Sequence, residues 1–252
     1  MIYLSDINSA IAQKYLSELS TNPFATRVKS LLLAYGSYPN LLDFWYQTDN
    51  NITTAYIVRY GGEFIADILP QADVKELINF CKMSGGMVLM CKNIDYGDDS
   101  GIVMKLENLS NITTKIEATE NISLDDCYEI LLQNKSDTFP VPSYEDYYVD
   151  LNHRLRKNTA VVLGAFADNS LVSCCFATAV DSNSAVLSSV ATLPRYKSQG
   201  YGTAVVTAMC KKLIDNGKNT IFLQRAINEN YSFYNKIGFE DFSVFEQILL
   251  TK

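Results

Sequence analysis

The stretch YKSQGYGTAV, residues 196–205, places two glycines where backbone chemistry is expected. Gly200 and Gly202 flank Tyr201, follow a strand-like run and open a helix-like one. Glycine lets the chain turn sharply and approach a ligand closely. The first turn of a helix leaves N–H groups without intrahelical acceptors. Such an end favours an anion, most often a phosphate. Arg195 and Lys197 add local positive charge to a chain of formal net charge −7. The spacing therefore predicts a phosphate or pyrophosphate cradle.

Other chemistries find little support. His153 is the only histidine, and it falls in YYVDLNHRLRKN, which reads as a helix ending in basic residues. A Ser-His-Asp or Cys-His site would have to use it, whereas a cation near a helix C-terminus needs no catalytic explanation. No His/Cys/Asp cluster has metal-ligand spacing, so no metal is expected. DYGDDSG (95–101) is too short for a calcium loop and reads as a turn. Cys81, Cys91, Cys127, Cys174, Cys175 and Cys210 form no C-x-x-C pair and read as reduced, packed thiols of a cytoplasmic protein. A P-loop fails because no Lys-Ser/Thr follows Gly202, and a dinucleotide fingerprint fails at Val205.

Composition sets the frame. The chain has 252 residues, 48% of them hydrophobic, enough for one large domain or two small ones. Its 28 acidic against 21 basic residues argue against nucleic acid as a partner. No run approaches the ~18–20 apolar residues of a membrane span, and MIYLSDINSA does not read as a signal peptide.

The elements that must position the glycine loop fall into two series. In the first, helices are expected over 8–19 and 24–35, strands over 41–48, 53–60 and 63–69, a helix over 71–85, and strands over 87–93 and 101–108. The polar tract NLSNITT (108–114) marks the boundary, giving domains 1–112 and 113–252. The second series opens with a strand, TKIEATE (114–120), and a helix capped by Ser123 with Asp125 and Asp126 in its first turn. A second helix over 143–158, three strand-like runs, the helix after the glycine loop, the strand NTIFLQRAI, the helix ENYSFYNKI and the strand FSVFEQILL complete it. The first half looks like a shorter version of this order.

On these residues a resemblance becomes specific. VATLPRYKSQGYGTAV (190–205) resembles the V-x-T-x-P-x-Y-R-G-x-G-Y-[A/G]-T signature of the GCN5-related N-acetyltransferase (GNAT) superfamily, with Lys197 in place of arginine and Ser198 in place of glycine. ENYSFYNKIGF (229–239) resembles the same family's E-N-x-x-F-Y-x-K-x-G-F helix. The likeness covers roughly the last 140 residues. It implies an α+β acyl-CoA N-acyltransferase fold with a mixed sheet, the first half being a second, degenerate GNAT-like domain without the cofactor loop.

The resemblance also implies an activity: acetyl transfer from acetyl-CoA directly to a primary amine of a small-molecule or peptide acceptor. The pantetheine arm would run along Val190 and Thr192. The pyrophosphate would take the N–H groups of Lys197, Ser198, Gln199, Gly200, Tyr201, Gly202 and Thr203. Asn230 would contact the cofactor, and Tyr234 would protonate the leaving thiolate. Ser188 and Ser189 stand where many relatives carry a glutamate, so the base falls to Glu145, Asp146 or Asp150, or to a water chain. The other reading is an acyl-CoA-binding sensor or scaffold that has lost catalysis. Trp45, in DFWYQ, reads as core packing or a groove wall.

Overall fold

A computed structural model describes residues 1–97 and 99–251. Asp98, within the expected DYGDDSG turn, and Lys252 lie outside the described residues. The chain divides into two compact units, Met1–Val103 with the chain from Phe242 on, and Met104–Asp241.

The first unit runs β1 (Ile2–Ser5), α1 (Ala10–Ser17), α2 (Pro23–Tyr35), β2 (Leu42–Asp49), β3 (Ile52–Tyr60), β4 (Glu63–Ile68), α3 (Val74–Met83), β5 (Val88–Lys92), then β6 (Asp99–Leu106), whose last residues belong to the second unit. Strands β1 to β4 are antiparallel in turn and β5 lies parallel to β4. Alternation along β3 divides the core: Ala55 and Ile57 face Leu77, Ile78 and Cys81 of α3, while Tyr56 and Val58 face Ala12, Tyr15, Val28 and Leu31 of α1 and α2. Trp45 packs against the α3-side core and lies 5.2 Å from Phe80, ring centre to ring centre.

The second unit repeats that order: β7 (Ala118–Thr119), α4 (Leu124–Leu132), α5 (Tyr144–Arg156), β8 (Val161–Ala167), β9 (Ser170–Val180), β10 (Ser184–Thr192), α6 (Tyr201–Asp215), β11 (Thr220–Ala226) and α7 (Tyr231–Ile237). The antiparallel series β7 to β10 is again followed by a parallel neighbour, β11 on β10. On one face Cys174 and Phe176 of β9 pack with Cys127, Ile130, Tyr147 and Leu151 of α4 and α5, while α6 packs on β8, β9 and β10. All six cysteines are buried and unbridged.

Three features differ from the sequence expectation. Strand β1 was not anticipated: its residues are half-buried or exposed, so no apolar alternation announces it. TKIEATE shortens to Ala118–Thr119, the only residues there with partners on β8. The last strand, β12 (Phe239–Leu249), starts in the second unit, yet its Phe245–Leu249 stretch pairs with β5 of the first.

Asp67 of β4, 3% exposed, accepts from the Tyr15 hydroxyl at 2.8 Å and from Asn22 Nδ2 at 2.9 Å. Burial holds its carboxyl above the ordinary value, outweighing those two hydrogen bonds and the charges of Lys29 and Lys92. The folded unit thus binds this proton more tightly than the unfolded chain does. That stabilising contribution is fully present below the ordinary value of 3.8 and is lost as pH rises through the raised one. Asp67→Asn still offers an acceptor to Asn22 and a donor to a reversed Tyr15 hydroxyl. It is expected to raise Tm at neutral pH relative to wild type, with the gain shrinking as the solution is acidified towards about pH 4. Thermal melts across that range check this.

Candidate active site

Strand β10 is buried through Leu187 and opens at Ser188, Ser189 and Val190. The parallel pairing with β11 runs only from Ser184↔Thr220 to Leu187↔Leu223, although both strands continue. At the same point the pairing with β9 breaks, passing from Ser188↔Phe176 to Ala191↔Cys174. Ser189 and Val190 thus stand opposite Cys175 alone, a β-bulge. Ser189 adopts φ +48°, a left-handed conformation costing a serine roughly 1 kcal/mol or more. Beyond Leu187 the strand thus has no paired residue on β11, and its β9 edge is interrupted by the bulge before pairing resumes at Ala191 and Thr192.

Beyond the bulge Thr192 is fixed on two sides. Its hydroxyl lies 2.8 Å from that of Ser173, and its carbonyl accepts from Asn134 Nδ2 at 3.1 Å. Pro194 then starts a single 3-10 turn, Pro194–Tyr196. The N–H of Lys197 closes that turn on the Pro194 carbonyl at 3.3 Å. Lys197 therefore leaves the predicted run of free donors, which starts at Ser198. Among the described residues no group accepts from the backbone N–H groups of Ser198 through Thr203; the next one, Ala204, bonds the Gly200 carbonyl at 2.9 Å. Helix α6 begins with Gly200 at φ +94° and no side-chain cap. Ser198 is also left-handed, φ +62°, which is the physical reason a glycine is usual at its place in the resembled signature.

The loop meets α7 directly: a Cβ on Gly202 would lie 3.3 Å from Thr192 Oγ1 and 3.5 Å from the Phe233 ring. Tyr234, the next residue, is half-buried, and its hydroxyl has no hydrogen-bond partner among the described residues. Burial raises its pKa well above the ordinary phenol value, with a further push from the Cys175 thiol. Cys175 is the β9 residue that stands opposite the bulge. Asn230 is exposed, left-handed at φ +60°, and bonds no residue of the glycine loop among those described.

The carboxylates of α5 are partly engaged. Asp146 accepts from the Ser143 hydroxyl at 2.6 Å in the helix cap, and Asp150 accepts from Arg154 Nε at 2.8 Å through both oxygens. Glu145 is exposed. Ser188, where a glutamate is usual in the resemblance, pairs its hydroxyl with that of Thr178 at 2.8 Å. Among the described residues no metal-binding group of His, Cys, Asp or Glu forms.

The matching helix start in the first unit is built differently. Asp73 caps α3, its carboxylate accepting from the Glu76 N–H at 2.9 Å, while Gln47 Oε1 accepts from the Asp73 N–H at 3.0 Å. A carboxylate already occupies the anion position.

Sequence comparison adds the family. Residues 124–239 match the model of the acetyltransferase (GNAT) family. These residues form a GNAT acetyltransferase domain. The fold of the whole chain is that of tandem GNAT proteins. It is similar to a tandem GNAT protein from the clavulanic acid biosynthesis pathway (TM-score 0.61, 9% identity, covering 100% of this chain and 99% of that one). A GNAT-family acetyltransferase from Colwellia psychrerythraea is similar over 99% of each chain (TM-score 0.59, 12% identity). A GCN5-related N-acetyltransferase from Kribbella flavida matches over 77% of this chain and 85% of its own (TM-score 0.56, 11% identity). No curated protein matches the chain in sequence.

Two features escaped the sequence reading. The bulge at Ser189 leaves no composition signal, because serines in a strand are unremarkable. Arg225 did leave one: it is the single charge in NTIFLQRAI, a run otherwise suited to burial. The GNAT domain's second motif ends at Gly238, φ +115°, where a Cβ would overlap the Asn108 carbonyl. Gly238→Ala is expected to cost at least about 2 kcal/mol, since the left-handed backbone alone costs roughly 1–2. Urea denaturation followed by circular dichroism measures it.

Proposed function

We propose that the GNAT domain transfers an acetyl group from acetyl-CoA to a primary amine of a small-molecule or peptide acceptor. The observation that carries this reading is the run of open N–H groups from Ser198 to Thr203 beside the bulge at Ser189 and Val190. That run fits a pyrophosphate: it supplies consecutive donors at a helix N-terminus with no side chain competing for them. Acetyl-CoA supplies the activated acyl carbon as a thioester.

In this reading the backbone of Val190 and Thr192 orients the pantetheine arm, and a bulge N–H near Val190 stabilises the oxyanion as the carbonyl is attacked. The amine forms the C–N bond as the C–S bond breaks, and Tyr234 gives its proton to the departing sulfur. The Tyr234 hydroxyl is protonated through the neutral range, as donation requires. The amine gives up its proton to Glu145, which is exposed, or to water, since Asp146 and Asp150 are tied to Ser143 and Arg154. Asn230 reaches the cofactor only from its exposed place at the head of α7. The first unit takes no acetyl-CoA, its helix start being filled by Asp73, and serves a structural or substrate-shaping role. No helix among the described residues is long and apolar enough to cross a membrane. The buried thiols suit a reducing compartment, the cytoplasm.

The second reading, a sensor that binds acyl-CoA without turnover, is favoured by Ser188 and Ser189 where a glutamate is usual. Thiol release from acetyl-CoA with a panel of amines separates the two. Turnover is expected in wild type, and Tyr234→Phe is expected to lower kcat about 100-fold with the KM for acetyl-CoA nearly unchanged. The wild-type kcat is expected to show no fall from Tyr234 ionisation until pH exceeds about 10. Acetyl-CoA binding without thiol release from any amine would leave the sensor reading standing.

A further inference from the structure

We infer that Arg225, on β11, is the positioning residue that sets the entry of α7 and thereby aims Tyr234; the catalytic half of this inference rests on the function proposed above. The Arg225 side chain is 4% exposed. Its Nη2 donates to both oxygens of Asp241 at 2.8 Å. Its Nη1 donates to the carbonyls of Ala226 at 3.0 Å and Ile227 at 2.5 Å, with that of Glu229 at 3.4 Å. The guanidinium lies 5.4 Å from the centre of the Tyr231 ring. Its Nε is buried with no partner among the described residues.

Burying a cation is costly unless its partners compensate, and an orphaned N–H adds to that cost. An apolar side chain would fill this end of β11 more cheaply. What it would not supply is a fork of donors to the carbonyls of the loop that leads from Ala226 to Tyr231. Few other bonds define that loop: the Glu229 N–H reaches the Ala226 carbonyl at 3.2 Å, the Glu229 carboxylate accepts from the exposed Thr138 hydroxyl at 3.2 Å, and the Asn230 side chain caps nothing.

Helix α7 has 7 residues, too short to hold its own position, so its ends must do so. Its C-terminal end is fixed where the Ser110 N–H bonds the Ile237 carbonyl at 2.9 Å and the Glu107 N–H bonds the Gly238 carbonyl at 3.0 Å. At its N-terminal end the corresponding fixture is Arg225. Tyr234 sits one turn into this helix, its N–H on the Asn230 carbonyl at 3.2 Å, so a shift of the loop moves the phenol with it. Asp241 completes the device by orienting the fork and neutralising its charge.

The test uses the full chain with Arg225→Lys and Asp241→Asn. Lysine keeps the charge and loses the fork; Asp241 is 46% exposed, so its amide variant is the safeguard if the lysine variant does not fold. Hydrogen exchange is expected to rise about tenfold across residues 227–234 in either variant, with the β8–β10 amides unchanged. In turnover, kcat is expected to fall about tenfold with the KM for acetyl-CoA held, and Arg225→Lys is expected to cost almost nothing further in a Tyr234→Phe background. Unchanged exchange at 227–234 in both variants would overturn the claim, as would losses that simply add to that of Tyr234→Phe. If wild type releases no thiol, the proposed function fails by that result, and the exchange measurement still decides whether Arg225 holds the loop.

Discussion

Between Ser198 and Thr203 no backbone N–H group finds a backbone acceptor among the described residues. Everything else in the second unit is arranged to permit that. Exposed donors at a helix start are inexpensive in water, but the turn that presents them is not, because Ser198 and Gly200 must both be left-handed. The surrounding anchors hold the turn from outside: Thr192 through Ser173 and Asn134, the 3-10 turn at Pro194, and α6 packed on β8 to β10. The first unit shows the alternative solution on the same element order. There Asp73 caps α3 itself, and the anion position is spent on stability.

The second departure from regular structure is the bulge at Ser189 and Val190. It interrupts the β9 ladder just beyond the point where the β11 ladder stops. In the proposed function these two irregularities, a few residues apart, would serve the pyrophosphate and the thioester carbonyl of acetyl-CoA. Tyr234 is half-buried, its hydroxyl has no hydrogen-bond partner among the described residues, and it sits on a helix held at both of its ends.

Much of this was legible in the residues because it depends on local geometry. The glycine spacing, the Ser123 and Ser143 caps and the apolar stripe of α6 act within one or two turns of where they are written. Lys197 lies in the same loop, but its N–H goes to the Pro194 carbonyl. What the residues do not carry is partnership at long range. Strand β1 has exposed residues and is a strand only because β2 pairs with it. FSVFEQILL reads as a strand, but nothing in it says that it will complete the first unit and not the second. Ser189 is strained by its neighbours, and Arg225 signals burial without naming Asp241 as its partner.

In the proposed function the glycine loop of the GNAT domain holds the pyrophosphate of acetyl-CoA. The most direct measurement is the melting temperature with acetyl-CoA, NAD or ATP, on wild type and on Gly200→Glu, whose carboxylate would enter the anion position. A rise with acetyl-CoA alone, lost in the variant while its unliganded fold remains cooperative, is the predicted result. No rise at saturating acetyl-CoA in wild type, or an equal rise in Gly200→Glu, would contradict it.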